Sequence, residues 1–214
     1  MIGIYGGTFD PVHNGHLQVV KALTATVEFD ELRLLPCGEP AHRAPPAASA
    51  KARVAMLQLA TAAWPLVSID EREVQRKGPS YMVDTLASLR EEQGDTPLVL
   101  IIGWDAFVTV PNWHRWQQLM TLAHLLVVQR PGNRTLPCGE IESLLQQHQV
   151  ASVAELKQHD VGCILLQPID LLELSSTQVK AAIAAKQDVS EMLPAAVNVY
   201  IKKHNLYLSE IGKS

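Results

Sequence analysis

His13 and His16 are the side chains whose type and spacing best suit chemistry. They lie in the string Gly6-Gly7-Thr8-Phe9-Asp10-Pro11-Val12-His13-Asn14-Gly15-His16, directly after a short apolar run. At the start of a helix, a separation of three residues turns both imidazoles toward one point. Imidazoles there can donate hydrogen bonds to phosphate oxygens, and the unpaired amides of a helix N-terminus favour the same negative charge. Gly6 and Gly7 let the backbone approach a bulky anion with no Cβ in the way. An HxxH pair alone is more often an ordinary turn carrying two surface histidines. The string is neither GxGxxG nor GxxxxGK[ST], which lowers the weight of a dehydrogenase or a P-loop NTPase.

The elements that must hold this turn alternate between β-type runs and amphipathic helices. Strands are expected at Ile2–Tyr5, Glu31–Leu35, Val67–Ile69, Leu98–Ile102, Leu125–Val128 and Cys163–Leu166. Helices are expected at Gly15–Val27, Lys51–Ala62, Met82–Arg90, Glu140–His148 and Ser176–Ala185, with a last one beginning near Pro194, where proline suits a first turn. This order argues for an α/β fold, a Rossmann-like open and mostly parallel sheet with helices on both faces. Continuous apolar strands such as Leu98–Ile102 fit a sheet covered on both sides. Pro36–Ala50 reads as a long surface loop and Arg130-Pro131-Gly132 as a turn. No linker or repeat divides the chain, so residues 1–214 are read as one domain. Ligands of open parallel sheets sit beyond the carboxyl ends of the strands. Gly6–His16, Pro36–Arg43 and Gly103–Asp105 all follow such ends.

Composition narrows the classes. The chain has 214 residues, 47% of them hydrophobic, enough for a substantial core. Its net charge is −4 with no lysine or arginine run, so no broad surface for nucleic acid is expected. No apolar run approaches the ~18 residues that cross a bilayer. No basic segment precedes an apolar one at the start, so a cytoplasmic location is expected. Cys37, Cys138 and Cys163 are odd in number and form no CxxC pair, which points to reduced thiols.

Gly6–His16 resembles the GGxFDPxHxGH element of the HxGH nucleotidyltransferase superfamily. Leu174-Ser175-Ser176-Thr177-Gln178-Val179-Lys180 resembles its second motif, [IL]SSTx[IV]R, with Lys180 where arginine is usual. Lysine keeps the charge but loses the planar fork. Serine and threonine at a helix start also have the plainer role of capping. Further stretches resemble bacterial nicotinate mononucleotide adenylyltransferases: Pro79-Ser80-Tyr81 with Thr85, Ile101-Ile102-Gly103-Trp104-Asp105, Trp113, Arg130-Pro131-Gly132, Ala41-His42-Arg43, and the tail from Leu193-Pro194 through Tyr200-Ile201 to Leu206-Tyr207, which resembles that family's closing helix.

The resemblance implies adenylyl transfer from ATP to nicotinate mononucleotide, giving deamido-NAD and pyrophosphate in NAD biosynthesis by direct in-line displacement. It implies triphosphate contacts from His13 and His16, with Gly6, Gly7, Thr8, Phe9, Ser176, Thr177 and Lys180 completing the ATP cradle. For the mononucleotide, Trp113 would stack on the pyridine, and main-chain amides near Thr85 and His114 would meet its carboxylate. Gly103 and Asp105 would face the ribose, and His42 and Arg43 the phosphate. Magnesium is expected on ATP, and the sequence shows no carboxylate cluster for a protein-held metal. The rivals are a sister transferase with another acceptor such as nicotinamide mononucleotide or phosphopantetheine, a non-catalytic nucleotide sensor, and a metal-dependent hydrolase. The last lacks both HExxH and a clear third ligand. Oligomeric state is not legible.

Overall fold

The computed structural model of the protein describes residues 1–40, 45–130 and 138–208. Its strands are β1 (Ile2–Gly7), β2 (Glu31–Pro36), β3 (Glu39–Pro40), β4 (Val67–Ile69), β5 (Pro79–Ser80), β6 (Leu98–Gly103), β7 (His124–Gln129), β8 (Gln149–Val150) and β9 (Ile164–Pro168). The α-helices are α1 (Asn14–Thr26), α2 (Ala50–Thr61), α3 (Arg72–Gln75), α4 (Met82–Gln93), α5 (Trp104–Phe107), α6 (Leu119–Leu122), α7 (Glu140–His148), α8 (Val153–Leu156), α9 (Ser176–Ala184) and α10 (Ala195–Lys203).

Seven strands form one sheet in the order β4-β2-β1-β6-β7-β9-β8. Every pairing in it is parallel. Parallel neighbours need crossover connections, and the helices that make them cover both faces. Alternate side chains therefore enter two cores. Val99 and Ile101 of β6 and Leu126 and Val128 of β7 join the core beneath α1, α2, α9 and α10. Leu98, Leu100 and Ile102 with Leu125 and Val127 join the opposite core, against Leu86 and Leu89 of α4. That two-faced burial is why these strands are apolar throughout. The structure bears out the Rossmann-like open parallel sheet expected from the sequence.

The chain builds outward from β1 through β2 to β4, then returns to lay β6 on the other side of β1. Strand order thus reverses between β1 and β6. The outgoing loops diverge there and leave a crevice beyond the carboxyl ends. Gly7 ends β1 and Gly103 ends β6, so both border it.

Two expectations need correction. Pro36–Ala50 is not one continuous loop. Glu39–Pro40 pairs in parallel with Pro79–Ser80 as a separate two-stranded sheet. A Cβ at Gly38 would lie 2.2 Å from the Glu73 carbonyl oxygen, so this connection passes where only glycine fits. The closing helix ends at Lys203, and Leu206–Tyr207 follow it in a turn in which Tyr207 has φ 62°. Among the described residues, no helix is long and apolar enough to cross a membrane.

Gly38→Ala is expected to destabilise the protein by roughly 1–3 kcal/mol, because a side chain must be forced against backbone. Urea unfolding checks this, the expected sign being a lower midpoint.

Candidate active site

The turn after β1 is shaped by an aromatic ring as much as by its glycines. A Cβ at Gly7 would lie 2.9 Å from Cζ of Phe9. Phe9 is buried and has a left-handed φ of 50°. Its ring meets Tyr5 edge-on at 5.8 Å and His16 at 5.0 Å. Gly7 therefore admits the Phe9 ring, which in turn packs against the His16 imidazole.

His13 is the N-cap of α1, and His16 occupies the first turn. Their rings lie 3.7 Å apart, centre to centre. The His13 backbone N–H donates to His16 Nδ1 at 3.2 Å. A neutral His16 that accepts at Nδ1 carries its proton on Nε2, so that nitrogen is the donor. Burial lowers the His13 pKa to about 4. Burial, and then the charge of His13, hold His16 well below the ordinary imidazole range. At neutral pH both rings are uncharged donors. His13 Nδ1 is buried without a hydrogen-bond partner among the described residues. The first turns of α1 and α9 carry no acidic residue. Their positive ends are thus left for a ligand anion.

Asp10 ties this turn to the rest of the site. It is 3% exposed and its carboxylate receives four donors. The Ala47 amide and Lys180 Nζ reach Oδ2 at 2.8 and 3.1 Å. The Ala48 amide and the Tyr207 hydroxyl reach Oδ1 at 3.0 and 2.8 Å. Burial alone raises the Asp10 pKa, but Tyr207, the two amides and Lys180 outweigh it and leave it lowered. Asp10 is therefore a carboxylate at neutral pH. Beneath the turn, the buried Arg53 of α2 donates from Nη1 to the Thr8 carbonyl at 2.7 Å.

The start of α9 divides its labour. Ser175 caps the helix by accepting from the Gln178 amide at 3.2 Å. Ser176 donates to the Pro11 carbonyl at 3.0 Å and so fastens α9 to the turn. The plain capping role falls on Ser175, leaving Thr177 and Lys180 facing the adjoining cavity.

Two cavities meet here. One, of about 480 Å³, fills the crevice between β1 and β6 and is lined by Gly6, Ile102, Gly103, Tyr81, Trp113 and His114, among others. The other, of about 720 Å³, is lined by Phe9, Asp10, His13, His16, Arg130, Leu174, Ser175, Ser176, Thr177 and Lys180, among others. Tyr5, Gly7 and Thr8 line both. The glycine turn borders both a mainly apolar cavity, with Tyr81, Trp113 and His114 among its lining, and one that carries two imidazoles, hydroxyls, Arg130 and Lys180.

The expected site residues distribute as follows. His13, His16, Gly7, Thr8, Phe9, Ser176, Thr177 and Lys180 gather at the second cavity. Gly6 lines the first cavity and not the second. Gly103, Trp113 and His114 line the first cavity. Trp113 Nε1 donates to Thr109 Oγ1 at 3.3 Å, and His114 lies against Tyr81 with ring centres 4.4 Å apart. Thr85 and Asp105 line neither cavity. Thr85 is fully buried and its hydroxyl donates to Glu73 Oε1 at 2.8 Å. Asp105 lies exposed in the first turn of α5. His42 and Arg43, like Pro131 and Gly132, lie outside the described residues. Sequence reasoning did not single out Tyr5 or Arg53, nor Asp10, Tyr81, Arg130 and Tyr207 beyond their place in a motif. Those motifs were the legible signal for the last four.

A reversed parallel sheet carrying joined cavities at a glycine turn defines a Rossmann-like nucleotide-binding protein. The family model described as cytidylyltransferase-like matches residues 4–182. A probable nicotinate-nucleotide adenylyltransferase from Methylococcus capsulatus is 43% identical over 208 residues, covering 97% of this chain and 99% of that one. One from Cellvibrio japonicus is 45% identical over 207 residues, covering 96% and 98%. The chain belongs to the cytidylyltransferase-like family and, within it, to the nicotinate-nucleotide adenylyltransferases. Its fold is also that of the nicotinic acid mononucleotide adenylyltransferase of Plasmodium falciparum, solved in complex with NaAD, with a TM-score of 0.73 at 17% identity over 96% of each chain.

The histidines tie stability to pH. With folded pKa values depressed, the unfolded chain binds more protons as pH falls below the ordinary imidazole value, so stability present at neutral pH is lost toward the folded value. For His13, whose folded value is about 4, the loss between about pH 7 and about pH 5 is on the order of 2 kcal/mol. Urea unfolding of wild type and His13→Gln at both pH values checks this, and the variant is expected to show the smaller loss.

Proposed function

We propose that the protein joins the adenylyl group of ATP to nicotinate mononucleotide, releasing pyrophosphate and forming deamido-NAD. The observation that carries this reading is the shared wall of the two cavities. A mononucleotide in the crevice between β1 and β6 presents its phosphate to Gly7 and Thr8 from one side. A triphosphate in the second cavity presents its α-phosphorus from the other. Where the two cavities meet over Gly7 and Thr8, the attacking oxygen faces the α-phosphorus directly and pyrophosphate departs on the opposite side, as in-line displacement requires. The relatives from Methylococcus capsulatus and Cellvibrio japonicus, named as probable nicotinate-nucleotide adenylyltransferases, support the same reaction.

The chain's own groups align reactants and offset charge. In the crevice, Trp113 offers a flat face for the pyridine, with Tyr81 and His114 beside it. Amides near His114 and the start of α4 face the ring carboxylate, while Thr85 acts behind them through Glu73. Gly103 lets the ribose approach the end of β6, and Asp105 accepts from its hydroxyls only after a rotation toward the crevice. His42 and Arg43 serve the mononucleotide phosphate in this reading.

At the turn, His16 Nε2 donates to the α-phosphate as negative charge builds, and His13 supports the adjoining phosphates. Neutral imidazoles stabilise that charge through directed hydrogen bonds, and an arriving polyanion draws their pKa values upward. The positive end of α9, Thr177 and Lys180 receive the leaving pyrophosphate. Magnesium on the triphosphate would offset part of its charge, with no ligand required from this cavity's side chains. Asp10, the carboxylate described in that cavity, already has both oxygens engaged by protein donors. The same reading takes the chain as one nucleotidyltransferase domain acting in the cytoplasm.

Pyrophosphate release from ATP, measured with a panel of acceptors, tests the function. Nicotinate mononucleotide is expected to give the highest kcat/KM, above nicotinamide mononucleotide and phosphopantetheine. ATP binding with no turnover on any acceptor would leave a nucleotide sensor instead. His16→Ala is expected to lower kcat by on the order of 10²-fold or more, the loss typical of one charge-stabilising donor. Trp113→Ala is expected to raise KM for the mononucleotide well above any change for ATP, and steady-state kinetics with each substrate varied checks both variants.

A further inference from the structure

Asp10 holds more than the fold of the turn requires. Its four donors come from three separate parts of the chain: the loop before α2, helix α9 and the tail beyond α10. Tyr207 lies 197 residues away in sequence and crosses to it from a left-handed backbone conformation. Phe9, next to Asp10, is left-handed too. Such conformations cost free energy in residues other than glycine and persist where surroundings over-determine them. Three of the donors are fixed by backbone or by a rigid ring. The fourth, Lys180, is a flexible chain 34% exposed at its side chain, on the wall of the second cavity.

We propose that Asp10 is a resting partner for Lys180, and that Tyr207 is the positioning residue that lets Lys180 leave it for the phosphate chain of ATP. The inference rests on the reading of the second cavity as the triphosphate site. A buried carboxylate that loses its only strong partner becomes an uncompensated charge, and the lysine would then be held fast. Here, departure of Lys180 leaves Asp10 with two amides and the Tyr207 hydroxyl. The buried Arg53, whose charge acts on Asp10, remains beneath the turn. The tail after α10 thereby takes part in nucleotide binding without touching the nucleotide. Removing the Tyr207 hydroxyl leaves two amides, so Lys180 stays with Asp10 and the triphosphate loses a cation.

The test is a double-mutant cycle on the full chain, read as the affinity for α,β-methylene-ATP by calorimetry. Wild type, Tyr207→Phe, Lys180→Met and the double variant are compared. Tyr207→Phe is expected to weaken binding about tenfold, a change of about 1.4 kcal/mol. In the Lys180→Met background the same change is expected to cost less than about twofold, since the coupled partner is gone. Replacing Tyr207 with 4-aminophenylalanine, which keeps a donor at the same place, is expected to restore affinity and also to show that the tail still docks. Equal losses in both backgrounds, or no rescue by the amine, would overturn the proposal. If wild type binds but the losses simply add, only this inference falls. If wild type does not bind the analogue, the triphosphate reading falls with it.

Discussion

The pairing of β1 with β2 on one side and β6 on the other is the constraint on which the site depends. It is the only place in the described sheet where outgoing connections part in opposite directions. The turn that leaves β1 can therefore be reached from both sides. From the crevice it presents Gly6, and from the far side it presents Phe9 and the two imidazoles. A transferase that brings two phosphorylated molecules together needs two such compartments that meet, with one short backbone segment bordering both. Moving β6 to the outer edge of the sheet would bury that segment or leave it facing a single ligand.

Charge shapes the turn as strongly as topology. Burying a carboxylate is costly unless its oxygens are satisfied. Satisfying Asp10 draws the loop before α2, α9 and the chain's tail onto one point. Arg53 works from below by holding the Thr8 carbonyl, which leaves the turn's other face for the ligand. The histidines are kept neutral by the same burial. The site is therefore built from directed donors, with the cation Lys180 held on Asp10.

The sequence made most of the frame legible because the frame is hydrophobic and periodic. Leu98–Ile102 and Leu125–Val128 are apolar since both faces of the sheet are covered, and no polar alternation was needed to find them. The paired dipeptides Glu39–Pro40 and Pro79–Ser80 escaped notice because two residues carry no period. His13, His16, Thr177 and Lys180 could be assigned to one place because they stand in contiguous motifs after strands. The roles of Arg53 and Tyr207 could not, since each is defined by a partner 45 or 197 residues away. Thr85 shows the opposite limit. Its motif placed main-chain amides near it at the acceptor, while the residue itself is buried with its hydroxyl donating to Glu73 and lines neither cavity.

A crystal structure with deamido-NAD bound tests the central claim most directly, because one molecule must then span both cavities. The account predicts the diphosphate bridge against Gly7 and Thr8, within hydrogen-bond reach of His16 Nε2. It places the pyridine at Trp113 and the adenosine on the side of Leu174 and Ser175. A dinucleotide lying wholly within one cavity, or one whose diphosphate rests away from the turn, would contradict it.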